Sequence, residues 1–132
     1  MRDCPLAGTR ILVVEDEAII AFDLTEVLTR AGADVVGPAR TLAAALGQAA
    51  RGEFSAALLD VWLGSETVFP VAKALFDRGI PLVFHTGDAN GAALTNVWPG
   101  CEILTKPASR EAIVGIFVKL LARQCGAGAV LS

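Results

Sequence analysis

Ala56-Ala57-Leu58-Leu59-Asp60 is the stretch that decides the fold. Four consecutive apolar residues read as a central parallel strand covered on both faces. The carboxylate that closes the run is costly there unless a charged group meets it. The same arrangement occurs twice more. Ile11-Leu12-Val13-Val14 ends in Glu15-Asp16, and a later apolar segment runs into Lys106-Pro107. Strands ending this way deliver three acids and one lysine to a single cleft, which suits a divalent cation and a phosphoryl group.

Working outward, apolar runs alternate with segments of helical period. A helix is expected from about Glu17 to Ala31, with Ile20, Leu24, Val27, Leu28 and Ala31 on one face and Gly32 as its stop. Val35-Val36 reads as a short second strand ending at Gly37-Pro38. Thr41 is the expected cap of a second helix whose inner face is Leu42, Ala45, Leu46 and Ala49. Thr67 is the expected cap of a third helix, with Pro70 in its first turn, where a missing N–H costs little. Ile80–Phe84 reads as the fourth strand, Asn90–Val97 as a weak helix, and Cys101–Leu104 as a fifth strand. Glu102 marks that fifth strand as an edge. Ser109 is the expected cap of a last helix carrying Ile113, Ile116, Phe117, Leu120 and Leu121. Five β/α units with short connections predict an α/β fold, a parallel sheet with helices on both faces. Ligands of such sheets bind beyond the carboxyl ends of the strands.

The chain has 132 residues, 54% of them hydrophobic and 19% charged, enough for one domain with a sizeable core. Its net charge of −3, with no basic stripe, does not favour nucleic acid. Cys4, Cys101 and Cys125 form no metal-binding spacing with the single histidine, His85, and read as free thiols of a reducing cytoplasm. No apolar run is long enough to span a bilayer. Residues 1–9 read as an N-terminal extension, 10–124 as the domain and 125–132 as a short tail.

Gathered in one cleft, Glu15, Asp16 and Asp60 repel one another, by about 4 kcal/mol per pair at 4 Å and an effective dielectric of 20. At least one of their pKa values is then expected to rise. A hard cation such as Mg²⁺ removes the conflict. Asp16 and Asp60 are expected to bind it directly, and Glu15 directly or through water. Lys106 suits a phosphate oxygen, or Asp60 when no phosphate is present. Thr86, before Gly87, can offer its hydroxyl to a phosphoryl oxygen. Each residue also has an ordinary reading: an acidic helix start, a solvated lysine, a plain strand end. His85 points away from Thr86 by strand alternation and reads as a core or rim histidine.

Together, Val13-Val14-Glu15-Asp16-Glu17, Leu58-Leu59-Asp60-Val61, Phe84-His85-Thr86-Gly87 and Leu104-Thr105-Lys106-Pro107 resemble the motifs of bacterial response-regulator receiver domains, in order and spacing, from about Arg10 to Arg123. The resemblance implies a flavodoxin-like doubly wound (βα)5 fold with strand order 2-1-3-4-5. It implies Asp60 as phosphoacceptor, Glu15 and Asp16 as the acidic pair around Mg²⁺, and the backbone carbonyl of Trp62 as a further metal ligand. Thr86 and Lys106 would contact the phosphoryl oxygens. The implied donor is a histidine kinase or histidine phosphotransfer protein. The implied output is a change of contact with a downstream protein, or a homodimer, through the fourth helix, fifth strand and fifth helix, in the bacterial cytoplasm. Leu94, Val97, Trp98 and Ile103 are expected to form an apolar patch there, unless Val130 and Leu131 cover it.

The chain departs from the family pattern in four places. The acidic pair is Glu-Asp, where Asp-Asp is commoner. Ile103 replaces the usual aromatic three residues before the lysine, as in the subset of receivers carrying Phe-Ala-Thr-Gly-x-Tyr. Asp88-Ala89 stand where that subset ends, and Trp62 sits beside the acceptor. Two rival readings follow. One is a pseudo-receiver that binds partners but never carries phosphate. The other is an aspartyl-phosphate phosphatase, which needs an acid where Trp62 stands. No separate enzymatic activity is expected beyond self-phosphorylation and dephosphorylation.

Overall fold

The computed structural model describes residues 4–87 and 91–131, with 91–92 and 124–131 described as backbone alone. The fold is set by three strands built on buried apolar runs: β1 (Arg10–Val14), β3 (Ala56–Asp60) and β6 (Leu82–Thr86). They lie side by side at the sheet centre. The edge strands are β2 (Asp34–Ala39) and β7 (Glu102–Thr105). All pairings are parallel, in the order β2-β1-β3-β6-β7. This is the expected order 2-1-3-4-5 once a two-stranded hairpin, β4 (Trp62–Leu63) and β5 (Glu66–Thr67), is set aside.

Helices cover both faces. Along β1, Ile11 and Val13 join a core with Leu24 and Leu28 of α1 (Ala18–Arg30) and Ile113, Phe117 and Leu120 of α5 (Arg110–Leu131). Leu12 and Val14 face the opposite core. It contains Ala45 and Ala49 of α2 (Leu42–Arg51), Val71 and Leu75 of α3 (Phe69–Asp77) and Leu94 of α4 (Gly91–Val97). Leu6, ahead of β1, is buried in the α1/α5 core, and its N–H donates to the Ala31 carbonyl.

Several caps fall where the sequence put them. Thr41 Oγ1 accepts from the Ala44 N–H at 3.1 Å, and Ser109 Oγ accepts from Ala112 at 3.1 Å. Gly32 follows the α1 C-cap with φ +103°. Glu102 lies on an edge strand, where Arg123 (2.9 Å) and Lys119 (3.5 Å) of α5 pair with it.

Other expectations need correction. Thr67 caps nothing. It pairs with Trp62 in the hairpin, and Val68 is the α3 N-cap, with no side-chain hydrogen bond; its N–H donates to Val61. Pro70 does fall in the first turn of α3. β2 continues through Gly37-Pro38 instead of stopping there. It can do so because it is an edge strand with a register shift opposite Leu12 and Val14, where a residue without N–H breaks no essential ladder. β6 begins at Leu82, two residues later than expected, and β7 at Glu102. The expected patch is largely core. Leu94 and Trp98 are buried and Ile103 is half-buried, leaving Val97 exposed. Trp98 is drawn in by Phe69, Phe76 and Phe84, with ring centroids 6.2, 5.6 and 6.4 Å away. Asp88 and Ala89 lie outside the described residues, as do the side chains of Val130 and Leu131.

Candidate functional site

The carboxyl ends of β1, β3, β6 and β7 build the site. Glu15 and Asp16 follow β1, Asp60 ends β3, Thr86 ends β6, and Lys106 follows β7. Register holds them level: Asp60 pairs with His85, and Thr86 with Thr105. The Lys106 N–H donates to the Thr86 carbonyl at 2.8 Å, tying the last two strand ends together.

The separated acids do converge. Carboxylate oxygens of Glu15, Asp16 and Asp60 lie within 4.8 Å of one another. Lys106 Nζ stands 3.3 Å from Asp60 Oδ1 and 3.5 Å from Glu15 Oε1. Glu15 is fully buried, and Asp60 and Thr86 nearly so. The Glu15 Oε2 accepts from the Glu17 N–H at 3.2 Å. Asp16 is half-buried; its Oδ2 accepts from the Gly64 N–H at 2.7 Å, so the hairpin turn is anchored to the acid cluster.

One acid is raised, as expected, but burial outweighs the repulsion between carboxylates as the cause. Burial, followed by the hydrogen bond to Asp60, raises the Glu15 pKa from 4.5 to about 7. The Coulombic effect of Asp60 acts in the same direction, while the Glu17 N–H and Lys106 oppose it. The donor set therefore fits Mg²⁺: all oxygen, clustered, and with more carboxylates than Lys106 alone can balance.

Trp62, two residues past Asp60, has a side chain more than half exposed at the start of the hairpin. His85 is a buried histidine, as the alternation predicts, but it also borders the site. Its Nδ1 is 3.9 Å from Glu15 Oε1. Burial, then Lys106, lowers its pKa from 6.5 to about 4. Two neighbours of the site escaped the sequence reading. The Arg40 guanidinium donates to the Asp16 carbonyl at 2.9 and 3.3 Å, and Gly64 holds Asp16. Arg40 is one scattered arginine among several, and no local pattern marks it. The hairpin had a faint signal in Gly64, whose φ is +62°.

Solved structures share this architecture. The response regulator PhyR from Brucella abortus aligns with a TM-score of 0.82 and 26% identity, over 96% of this chain and 53% of that one. A response regulator receiver protein from Sinorhizobium medicae aligns at 0.76 and 26% identity, over 86% of this chain and 94% of that one. The fold is that of a response-regulator receiver. A CheY-like receiver domain protein from Methanospirillum hungatei, at 18% identity, shares the fold with a TM-score of 0.79 over 90% of this chain and 98% of that one. The chain spans about half the length of the PhyR structure. No family model and no curated protein matches it. Among the described residues, no helix is long and apolar enough to cross a membrane.

Proposed function

We propose that residues 10–124 form a phosphorelay receiver that takes a phosphoryl group on Asp60. The donor is a phosphohistidine of a histidine kinase or phosphotransfer protein in the bacterial cytoplasm. The P–N bond of the donor breaks as a P–O bond forms to the Asp60 carboxylate. The observation that carries this reading is the meeting of Lys106 Nζ with both Asp60 Oδ1 and Glu15 Oε1. Phosphoryl transfer asks the protein chiefly for positioning and charge neutralisation. Lys106 supplies a mobile positive charge beside the acceptor, and Thr86 a hydroxyl at the neighbouring strand end. Glu15, Asp16, Asp60 and the Trp62 carbonyl would hold Mg²⁺, which when bound adds positive charge at the phosphoryl oxygens. Ile19 and Phe22, exposed on α1 beside the acidic pair, offer the donor an apolar contact.

The output is a change of protein contact, at the face made by α4, β7 and α5, with a downstream partner or a second copy. Ile103 stands where many receivers carry an aromatic, so the switch runs through the Thr86 and Lys106 loops. Phe84, Thr86 and Gly87 favour the Phe-Ala-Thr-Gly-x-Tyr subset. The chain acts on itself and turns over no free substrate; Trp62 occupies the position where a phosphatase of related chemistry needs an acid.

The test is intact mass after incubation with Mg²⁺ and either acetyl phosphate or a phosphorylated kinase. One added phosphate is expected, and none in Asp60→Asn. No gain with either donor would leave a pseudo-receiver, a binding module without phosphate, as the better reading.

A further inference from the structure

Glu15 has one oxygen that its neighbours leave unsatisfied. Oε2 accepts from the Glu17 N–H at 3.2 Å, but Oε1 is buried with no hydrogen-bond partner among the described residues. Lys106 Nζ faces it at 3.5 Å and is shared with Asp60 Oδ1 at 3.3 Å. His85 Nδ1 faces it at 3.9 Å. The His85 side chain is 5% exposed, and both ring nitrogens are likewise without a hydrogen-bond partner among the described residues. Buried polar groups are normally hydrogen-bonded, so an orphaned carboxylate oxygen beside an orphaned imidazole calls for an explanation. Burial and the Lys106 charge keep the ring neutral near pH 7. A neutral imidazole has one N–H to give, and it can stand beside an ammonium that would repel a cation.

We propose that His85 is a positioning residue for phosphoryl transfer: its Nδ1–H takes over Glu15 Oε1 when Lys106 turns to a phosphoryl oxygen. This rests on Asp60 being the phosphoacceptor. Lys106 offers one ammonium to two carboxylates, and a phosphoryl group arriving at Asp60 draws it away from Glu15. Oε1 would then be left bare, which is unfavourable for a buried charged acceptor. An N–H···O bond spans about 2.9–3.0 Å, so the imidazole has to close about 1 Å. The ring borders a cavity of about 170 Å³, together with Ile20, Asp23, Lys106 and Ile113, which gives it room to turn. With Oε1 held by His85 and Oε2 by the Glu17 N–H, Glu15 keeps its orientation beside Asp16 and Asp60 while Lys106 is engaged elsewhere.

His85 is the only histidine of the chain, so ¹⁵N-labelled histidine gives a single reporter. Tag-free protein is followed by NMR with Mg²⁺ alone and with Mg²⁺ and beryllofluoride, a stable mimic of the phosphoryl group. Beryllofluoride is expected to fix the proton on Nδ1 and to slow its exchange with water. In parallel, phosphorylation by acetyl phosphate is timed by intact mass. Asn can place an amide N–H where Nδ1 stands, and Gln where Nε2 stands. His85→Asn should therefore stay close to wild type, while His85→Gln and His85→Ala slow phosphorylation by about 10–100-fold, as for loss of a partner that orients a metal ligand. A merely structural role would not separate Asn from Gln. Equal rates in all four proteins, equal losses in the Asn and Gln variants, or a proton that stays on Nε2 with beryllofluoride bound would overturn the proposal. Wild type that gains no phosphate would end the phosphoacceptor reading and this one with it. Normal phosphorylation of wild type with any of those three results would end this one alone.

Discussion

At the scale of single residues, Glu15 and His85 show what burial does to chemistry. Both are pushed toward their neutral forms: Glu15 from 4.5 up to about 7, His85 from 6.5 down to about 4. In metal-free protein between about pH 4.5 and 7, native Glu15 keeps a proton that the unfolded chain has released. Stability therefore falls there as pH rises. Between about pH 4 and 6.5, the unfolded chain binds a proton that native His85 refuses, so this contribution rises with pH. The two slopes oppose one another up to about pH 6.5, and above it only the Glu15 slope remains. Glu15→Gln removes the falling limb. Metal-free urea midpoints should show the variant gaining on wild type between pH 5 and pH 8 by on the order of 2–3 kcal/mol. A gap that does not change with pH would show that Glu15 does not titrate in this range. The sequence made a raised carboxylate pKa predictable, because three acids were assigned to one cleft. It could not say which acid. That depends on Glu15 being sealed from water while Asp16 stays half-exposed and bonded to Gly64.

At the scale of elements, two contacts carry unequal weight. Arg78, at the C-cap of α3, donates to the carbonyls of Ala49 and Gly52 at 2.6 Å each, closing the end of α2. Its ion pair with Glu53, at 4.0 Å to a side chain 91% exposed, adds little. Arg78→Ala should cost about 1.5–3 kcal/mol in chemical denaturation, as for hydrogen bonds from a charged donor. Glu53→Ala should be nearly neutral, and an equal cost for both would refute the assignment. Trp98 is the anchor of the α4 end. Its ring packs on Phe69, Phe76 and Phe84, and its indole N–H is buried without an acceptor among the described residues. Trp98→Ala should cost about 3–5 kcal/mol. Trp98→Phe should cost much less, since it keeps an aromatic ring and removes the orphaned donor; equal losses in the two variants would contradict this. Most helices and strands were legible from periodicity and capping residues. The hairpin at Trp62–Thr67 was not, because two-residue strands are too short to show a period.

At the scale of the molecule, a cation taken up by the acid cluster would couple binding to folding, since the cluster's members come together only in the folded chain. At ten times its Kd, a cation held only by the native state adds about 1.4 kcal/mol. Mg²⁺ should accordingly raise the melting temperature by roughly 3–6 °C for a domain of this size, and by clearly less in Asp60→Asn. A shift of equal size in the variant would place the ion elsewhere. The sequence by itself determined the sheet. Uninterrupted apolar runs bury equally on both faces, so they become its central parallel strands, and the acids and lysine at their ends follow. Only the tertiary structure decided the rest: that Lys106 reaches both Asp60 and Glu15, that His85 stands beside Glu15, and that Trp98 turns inward. Those contacts join residues far apart in the chain. Strand register and helix packing set them, and no local pattern encodes distances of that kind.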